Sequence, residues 1–242
     1  MLRTSLMLCL AAVLSCTTTS GARRTPTREA RPEWSDRLYS PFDERVYREI
    51  SAEQIDADHL DRELVAATIW RETNAIREKH GLQALGYCAP CRRAAQEYSD
   101  DMVRRDFFLA DHGHPDKSRA TPRLRMDAAQ LVNATGWGEN IAVTFALQYK
   151  SGRPFYLPEK AGDPYLDEHQ KPLLPHSYQS FAQSVVEQWM NSPHHRANIL
   201  DKDWTHFGAA CTSYREKDGF PKLKCTQDFA RLAAVKDQSG RL

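Results

Sequence analysis

"WMNSPHHRANIL", Trp189 to Leu200, sets two adjacent histidines behind a proline. The residues leading into it, Tyr178 to Asn191, carry Ala182, Val185, Val186 and Trp189 at i, i+3, i+4 and i+7. That period predicts a helix with one buried face. Ser177 can cap its start, Ser192-Pro193 ends it, and "ANIL" predicts one further turn. Histidines placed there can ligate a metal, move a proton or merely close a helix. The rest of the chain has to separate these roles.

The chain has 242 residues and a formal charge of +1. So even a balance offers no electrostatic case for nucleic acid as a partner. Upstream of the motif, Ser51 with Gln54 fits a capping box, and Asp58 to His80 reads as a helix. Val65, Ile69, Thr73 and Ile76 share a face of that helix, and Gly81 stops it. A second helix is predicted from Pro90 to Asp106, with Cys91, Ala94, Ala95, Tyr98 and Met102 as its apolar stripe. Gly138 to Thr144 reads as a strand. Phe145 to Pro175 is too long for an ordinary connection and is expected to be a lid or a mobile insert. Its Tyr149, Phe155, Tyr156 and Tyr165 offer an aromatic surface, either for binding or for packing on one another. Downstream, "HFGAACTSY" and "KLKCTQDFA" flank Asp218-Gly219 and predict a hairpin.

The first fifteen residues, "MLRTSLMLCLAAVLS", read as an export signal, too short to span a bilayer. "VLSC" resembles a bacterial lipoprotein cleavage box, which makes Cys16 the expected lipidation site and the membrane the expected partner. Thr17 is not the aspartate that retains such proteins at an inner membrane. The expected location is therefore an outer membrane or periplasmic face, or the exterior if no lipid is attached. Residues 16–50 read as a polar tether, 51–235 as one domain with an insert at 145–175, and 236–242 as a tail. In an exported chain the remaining Cys88, Cys91, Cys211 and Cys225 are expected to form disulfides. Cys211 and Cys225 sit symmetrically about the predicted turn, which favours pairing them and, locally, Cys88 with Cys91. "CAPC" also resembles a redox motif, but the βαβ context is missing. A zinc knuckle needs two further ligands, and Arg92 after Cys91 excludes haem attachment.

"NAIREKHGLQAL", "AAQEYSDDM", "GENIA", "WMNSPHHRANIL", "HFGAAC" and "TQDFA" occur in the order found in the CAP superfamily of cysteine-rich secretory, antigen 5 and plant pathogenesis-related 1 proteins. The chain is similar to the bacterial, SCP-like branch over roughly Leu64 to Ala230. The resemblance implies an α+β fold, a three-layer α-β-α sandwich with a central antiparallel sheet. It also implies a cleft lined by two histidines and acidic residues. Carried onto this chain, these are His195, Glu139 of "GEN", and His114, counted back from Thr121, Pro122 and Arg125. His112 is the alternative to His114. His194 fills a place usually given to glycine. Ser192 stands where eukaryotic members carry a second glutamate, so the acid set is reduced.

Two imidazoles and a carboxylate would suit a divalent metal such as zinc, and His114, Glu139 and His195 are its expected ligands. The same groups could activate water, yet neither G-x-S-x-G nor H-E-x-x-H is present, and the reading leans away from an enzyme. What remains is a binding module of the cell envelope for a small-molecule, lipid or cell-wall ligand. A His/Glu-dependent hydrolase, protease-like in kind, and a purely structural hydrogen-bond network are the alternatives.

Overall fold

The computed structural model describes residues 37–39, 44–160 and 162–233. The export signal, Cys16, most of the tether and the 236–242 tail lie outside the described residues. The elements run α1 (Glu44–Ser51), α2 (Arg62–Lys79), β1 (Gly86–Tyr87), α3 (Ala89–Arg104), α4 (Pro122–Ala128) and β2 (Ala134–Phe145). They continue with β3 (Phe155–Tyr156), β4 (Leu166–Asp167), α5 (Tyr178–Met190), α6 (Pro193–Leu200), β5 (His206–Arg215) and β6 (Pro221–Leu232).

The main sheet has the order β1-β5-β6-β2. Its three long strands are antiparallel, and β1 adds two residues in parallel to β5. One layer, holding α2 and α5, buries Leu64, Val65, Ile69, Phe181, Val185 and Trp189 against Phe207, Leu223 and Phe229. On the opposite face α3 and α4 bring Cys91, Ala94, Tyr98, Met102 and Met126 onto Ile141 and Ala230. This is the expected three-layer α-β-α sandwich. Alternation along the strands sends successive residues to opposite layers, so each strand reads as nearly continuous burial.

Helix ends follow their chemistry. Asp61 caps α2 through the Glu63 and Leu64 amides, and Gly81, at φ 72°, takes the left-handed position that closes it. Ser177 and Ser180 form a reciprocal cap on α5. The expected box at Ser51 does not form. Ser51 ends α1 instead, because the chain ahead of it is already helical and packed. The tether is accordingly shorter than 16–50. Leu38 is buried, Tyr39 stacks on Tyr87 with ring centroids 3.7 Å apart, and Ile50 lies in the core.

Both expected disulfides are present, Cys88–Cys91 and Cys211–Cys225. The second joins residues directly paired across β5 and β6. Cys88 caps α3 through its sulfur, and both cysteines of the first bridge are buried. That burial makes the bridge structural.

The 145–175 insert is a small β3–β4 hairpin whose Tyr149, Phe155 and Tyr165 surround Phe220 of the β5–β6 turn. It leaves β2 at Phe145, six residues beyond Glu139. That is about 20 Å along a strand. The insert therefore packs on its own aromatics and the hairpin turn, and does not roof Glu139.

Candidate functional site

β2 is an edge strand, and the two helical layers wrap around it. Two motifs meet there. Glu139 is paired across the ladder with Asp228, and Asn140 with Gln227, so the last two residues of "GEN" face the last two of "TQD". Alternation sends Glu139 and Asp228 to the α3–α4 side, and Asn140 and Gln227 to the α2–α5 side. On that second side the Asn140 amide donates to the His195 carbonyl at 3.1 Å and to Gln227 at 3.2 Å. Asn198 of "ANIL" donates to the Glu139 carbonyl at 3.1 Å and to the Asn140 side chain at 2.9 Å. These bonds dock α6 on the strand edge and fix the position of His195. The glycine of "GEN" has a packing cause: a Cβ on Gly138 would lie 2.7 Å from the Trp204 ring.

On the first side, Glu139 is buried and both its oxygens are engaged. His112 Nδ1 donates to Oε1 at 2.8 Å, and the buried Arg125 donates to Oε2 at 2.6 Å. Arg125 also donates to the Arg119 carbonyl at 2.8 Å and, through two nitrogens, to the His112 carbonyl at 3.3 Å. Its guanidinium lies 3.7 Å over the Tyr98 ring, and the Tyr98 hydroxyl donates to the Gly113 carbonyl. His112 sits at φ 59°, a left-handed backbone uncommon outside glycine, though histidine, asparagine and aspartate adopt it more readily than other side chains. Arg125 and Tyr98 pin the carbonyls on either side of that turn. The His112 and His195 rings face each other edge to face, with centroids 6.3 Å apart. Burial, with smaller contributions from the neighbouring His112 and His194, holds the His195 imidazole below the usual histidine value.

The structure thus brings together Glu139, His195 and His112, and it does not bring His114 with them. His114 turns the other way. Its Nε2 donates to Asp101 at 2.9 Å, its Nδ1 accepts from the Asp116 amide at 2.9 Å, and its side chain is fully buried. Burial, helped by Arg105, Arg119 and Arg125, keeps it below the ordinary histidine value. The physical reason is the turn at His112–Gly113, which sends two imidazoles spaced i, i+2 into different surroundings.

The expected metal set is not assembled either. Glu139 has no free oxygen, and among the described residues no three His, Cys, Asp or Glu side chains converge as ligands. Zinc ordinarily takes at least three protein ligands, so a centre built on His114, Glu139 and His195 does not fit. Glu139 acts as an orienting group. By accepting from Nδ1–H it leaves the His112 Nε2 with a lone pair, on a side chain 22% exposed. Sequence reading missed three partners of this cluster: Arg125 as ion-pair partner, Tyr98 as its platform, and Asp228. The available signal was charge within predicted secondary elements, above all Asp228 inside the strand "KLKCTQDFA".

A Bacillus subtilis membrane protein, YlbC, is 28% identical over 136 residues, which cover 56% of this chain and 28% of that protein. YkwD of the same organism is 29% identical over 136 residues, covering 56% and 38% respectively. The matched segment therefore spans well under half of those relatives. Among solved structures, an extracellular SCP-domain protein of Bacillus anthracis aligns with a TM-score of 0.45 at 22% identity, over 70% of this chain and 41% of that one. An outer surface protein of Borrelia burgdorferi aligns at 0.45 and 15% identity, over 75% and 99%. The model of the cysteine-rich secretory protein (CAP) family matches residues 70–229, which include His112, Glu139 and His195, and the chain belongs to that family.

Proposed function

We propose that this protein is an exported binding module of the cell envelope, held at a membrane by lipid on Cys16, whose cleft presents His112 and His195 to a polar ligand. The observation that carries this reading is the Arg125–Glu139–His112 chain. A buried ion pair is a costly way to stabilise a fold, and here it fixes the tautomer of a partly exposed histidine in a strained turn. A lone-pair nitrogen on His112 and a second imidazole opposite suit a hydroxyl or amide group, as found on cell-wall glycopeptides and lipid headgroups. Relatives described as membrane, surface or extracellular proteins support the location. Among the described residues no helix is long and apolar enough to cross a membrane.

Co-sedimentation of the full chain with purified sacculi, and separately with phospholipid vesicles, tests the cleft. Loss of binding to one of them in His112→Ala and His195→Ala, with binding retained in His194→Ala, is the expected result. Unchanged binding in all three overturns it. Mass spectrometry of the mature N-terminus tests the anchor; an unmodified terminus beyond Cys16 removes it.

A second reading rests on the same hydrogen bond. His112 polarised by Glu139 has the form of a general base for hydrolysis. It requires a detected hydrolytic activity that falls in Glu139→Gln at unchanged stability.

A further inference from the structure

The sequence leaves the cleft short of one acid, with Ser192 where a second glutamate was expected. A second carboxyl nevertheless reaches Glu139, from the neighbouring strand. Asp228 stands directly opposite Glu139 in the β2–β6 ladder, so the two side chains leave the same face as nearest cross-strand neighbours. Asp228 is completely buried, and neither of its oxygens accepts a hydrogen bond from an N–H group among the described residues. The groups facing it are Glu139 from β2, Arg125 from α4 and Tyr98 from α3; β5 offers only Gly208. Among the described residues, Arg125 is the one permanent cation against it. Arg125 spends its terminal nitrogens on Glu139 and two backbone carbonyls, and its Nε meets no acceptor, so it does not neutralise Asp228.

We propose that Glu139 and Asp228 share one proton and act as a single monoanionic acid pair that holds the His112 tautomer from beneath the cleft. Two ionised carboxylates against one guanidinium, away from water, leave an uncompensated buried charge. One of them must be protonated. Arg125 and His112 both donate to Glu139, so Glu139 keeps the charge and Asp228 the proton. Burial first, and the Glu139 charge second, push the Asp228 carboxyl well above its ordinary range, in the same direction. The pair then carries −1 against the +1 of Arg125. His112 keeps its Nδ1–H on Glu139, which is the contact the pair holds in place. Asp228 is thus a positioning residue, the second acid of this cleft, supplied by "TQDFA" where Ser192 does not. The inference deepens the same site as the binding reading, but it is tested on the protein alone, so each can fail without the other.

The test uses the full chain labelled with carboxyl-¹³C aspartate. One aspartate resonance should keep the protonated shift from pH 5 to 8 and be absent from Asp228→Asn. In equilibrium unfolding, Asp228 holds its proton in the folded state above the pH at which it loses it unfolded. Wild type should therefore lose stability relative to Asp228→Asn as pH rises. The ratio of their unfolding constants should change by about tenfold per pH unit in that window. If every aspartate carboxyl is ionised by pH 6, or the ratio does not vary with pH, the shared proton is refuted. Should Asp228→Asn fail to fold, the wild-type resonance decides alone. A purely structural Asp228 would move neither readout.

Discussion

His112 and His114 are two residues apart and have opposite fates. His114 is sealed between Asp101 and the Asp116 amide, whereas His112 shares Glu139 with Arg125 and keeps an exposed edge. Removing the first takes a hydrogen-bond partner from a buried carboxylate. His114→Ala should cost about 2–4 kcal/mol in chemical denaturation. His112→Ala, in a partly solvated position, should cost about 1 kcal/mol or less and act on ligand binding instead. Arg125→Met removes the cation of the buried pair and should cost about 3–5 kcal/mol in the same measurement. If His112→Ala proves the more destabilising of the two histidine variants, the assignment of structural and cleft roles is reversed.

Among the secondary elements, register does most to build the site. The β2–β6 ladder places Glu139 against Asp228 and Asn140 against Gln227, and alternation gives each helical layer one polar pair. Close approaches set which residues are tolerated at the contacts. A Cβ at Gly208 would fall 2.2 Å from the Arg92 amide of α3, and backbone cannot yield there. Gly208→Ala should destabilise by about 3 kcal/mol or slightly less, as overpacking does, and loosen α3 first, seen as faster amide exchange along that helix. The two disulfides should differ in effect. Replacing Cys211 and Cys225 with serine opens a 14-residue separation and should cost about 3 kcal/mol, while the Cys88–Cys91 bridge spans only three and should cost less. Denaturation of the two double variants compares them directly.

Across the molecule, the aromatic insert leaves the Phe145 end of β2, whereas the Glu139 cluster sits at the middle of that strand. Excising residues 150–173 should therefore leave the His112 environment unchanged by NMR, while uncovering Phe220 at a cost of about 1.5–3 kcal/mol. The pH dependence of stability is also collective. Burial lowers the imidazoles of His114, His176, His195 and His206. Their unfolded forms bind protons more readily, so stability falls as pH drops below about 6.5. Asp228 works in the other direction: its raised folded value means stability falls as pH rises from its unfolded value of about 3.9. Four histidines outweigh one aspartate on the acid side, and the aspartate remains on the alkaline side. Denaturation midpoints from pH 4.5 to 8 should pass through a maximum near pH 6.5. A profile rising steadily to pH 8 would contradict the Asp228 contribution.

Periodicity and capping were enough to place α2, α3, α5 and the β5–β6 hairpin, and the turn at Asp218-Gly219 was enough to pair Cys211 with Cys225. Those features depend on neighbours in the chain, where side-chain period and backbone preference act directly. The motif around His195 also announced the family, and with it the three layers. Which histidine faces Glu139, whether a third metal ligand exists, and what the long insert covers were not written in spacing. Each depends on contacts between segments far apart in the chain: a guanidinium from α4 reaching β2, a left-handed turn at His112, an aromatic cluster closing on Phe220. Asp228 shows the difference most plainly. In the chain it is one acid in a strand of mixed polar and apolar residues. Across the β2–β6 ladder it becomes the partner of Glu139, because strand pairing alone brings residues so far apart in sequence into one dry site.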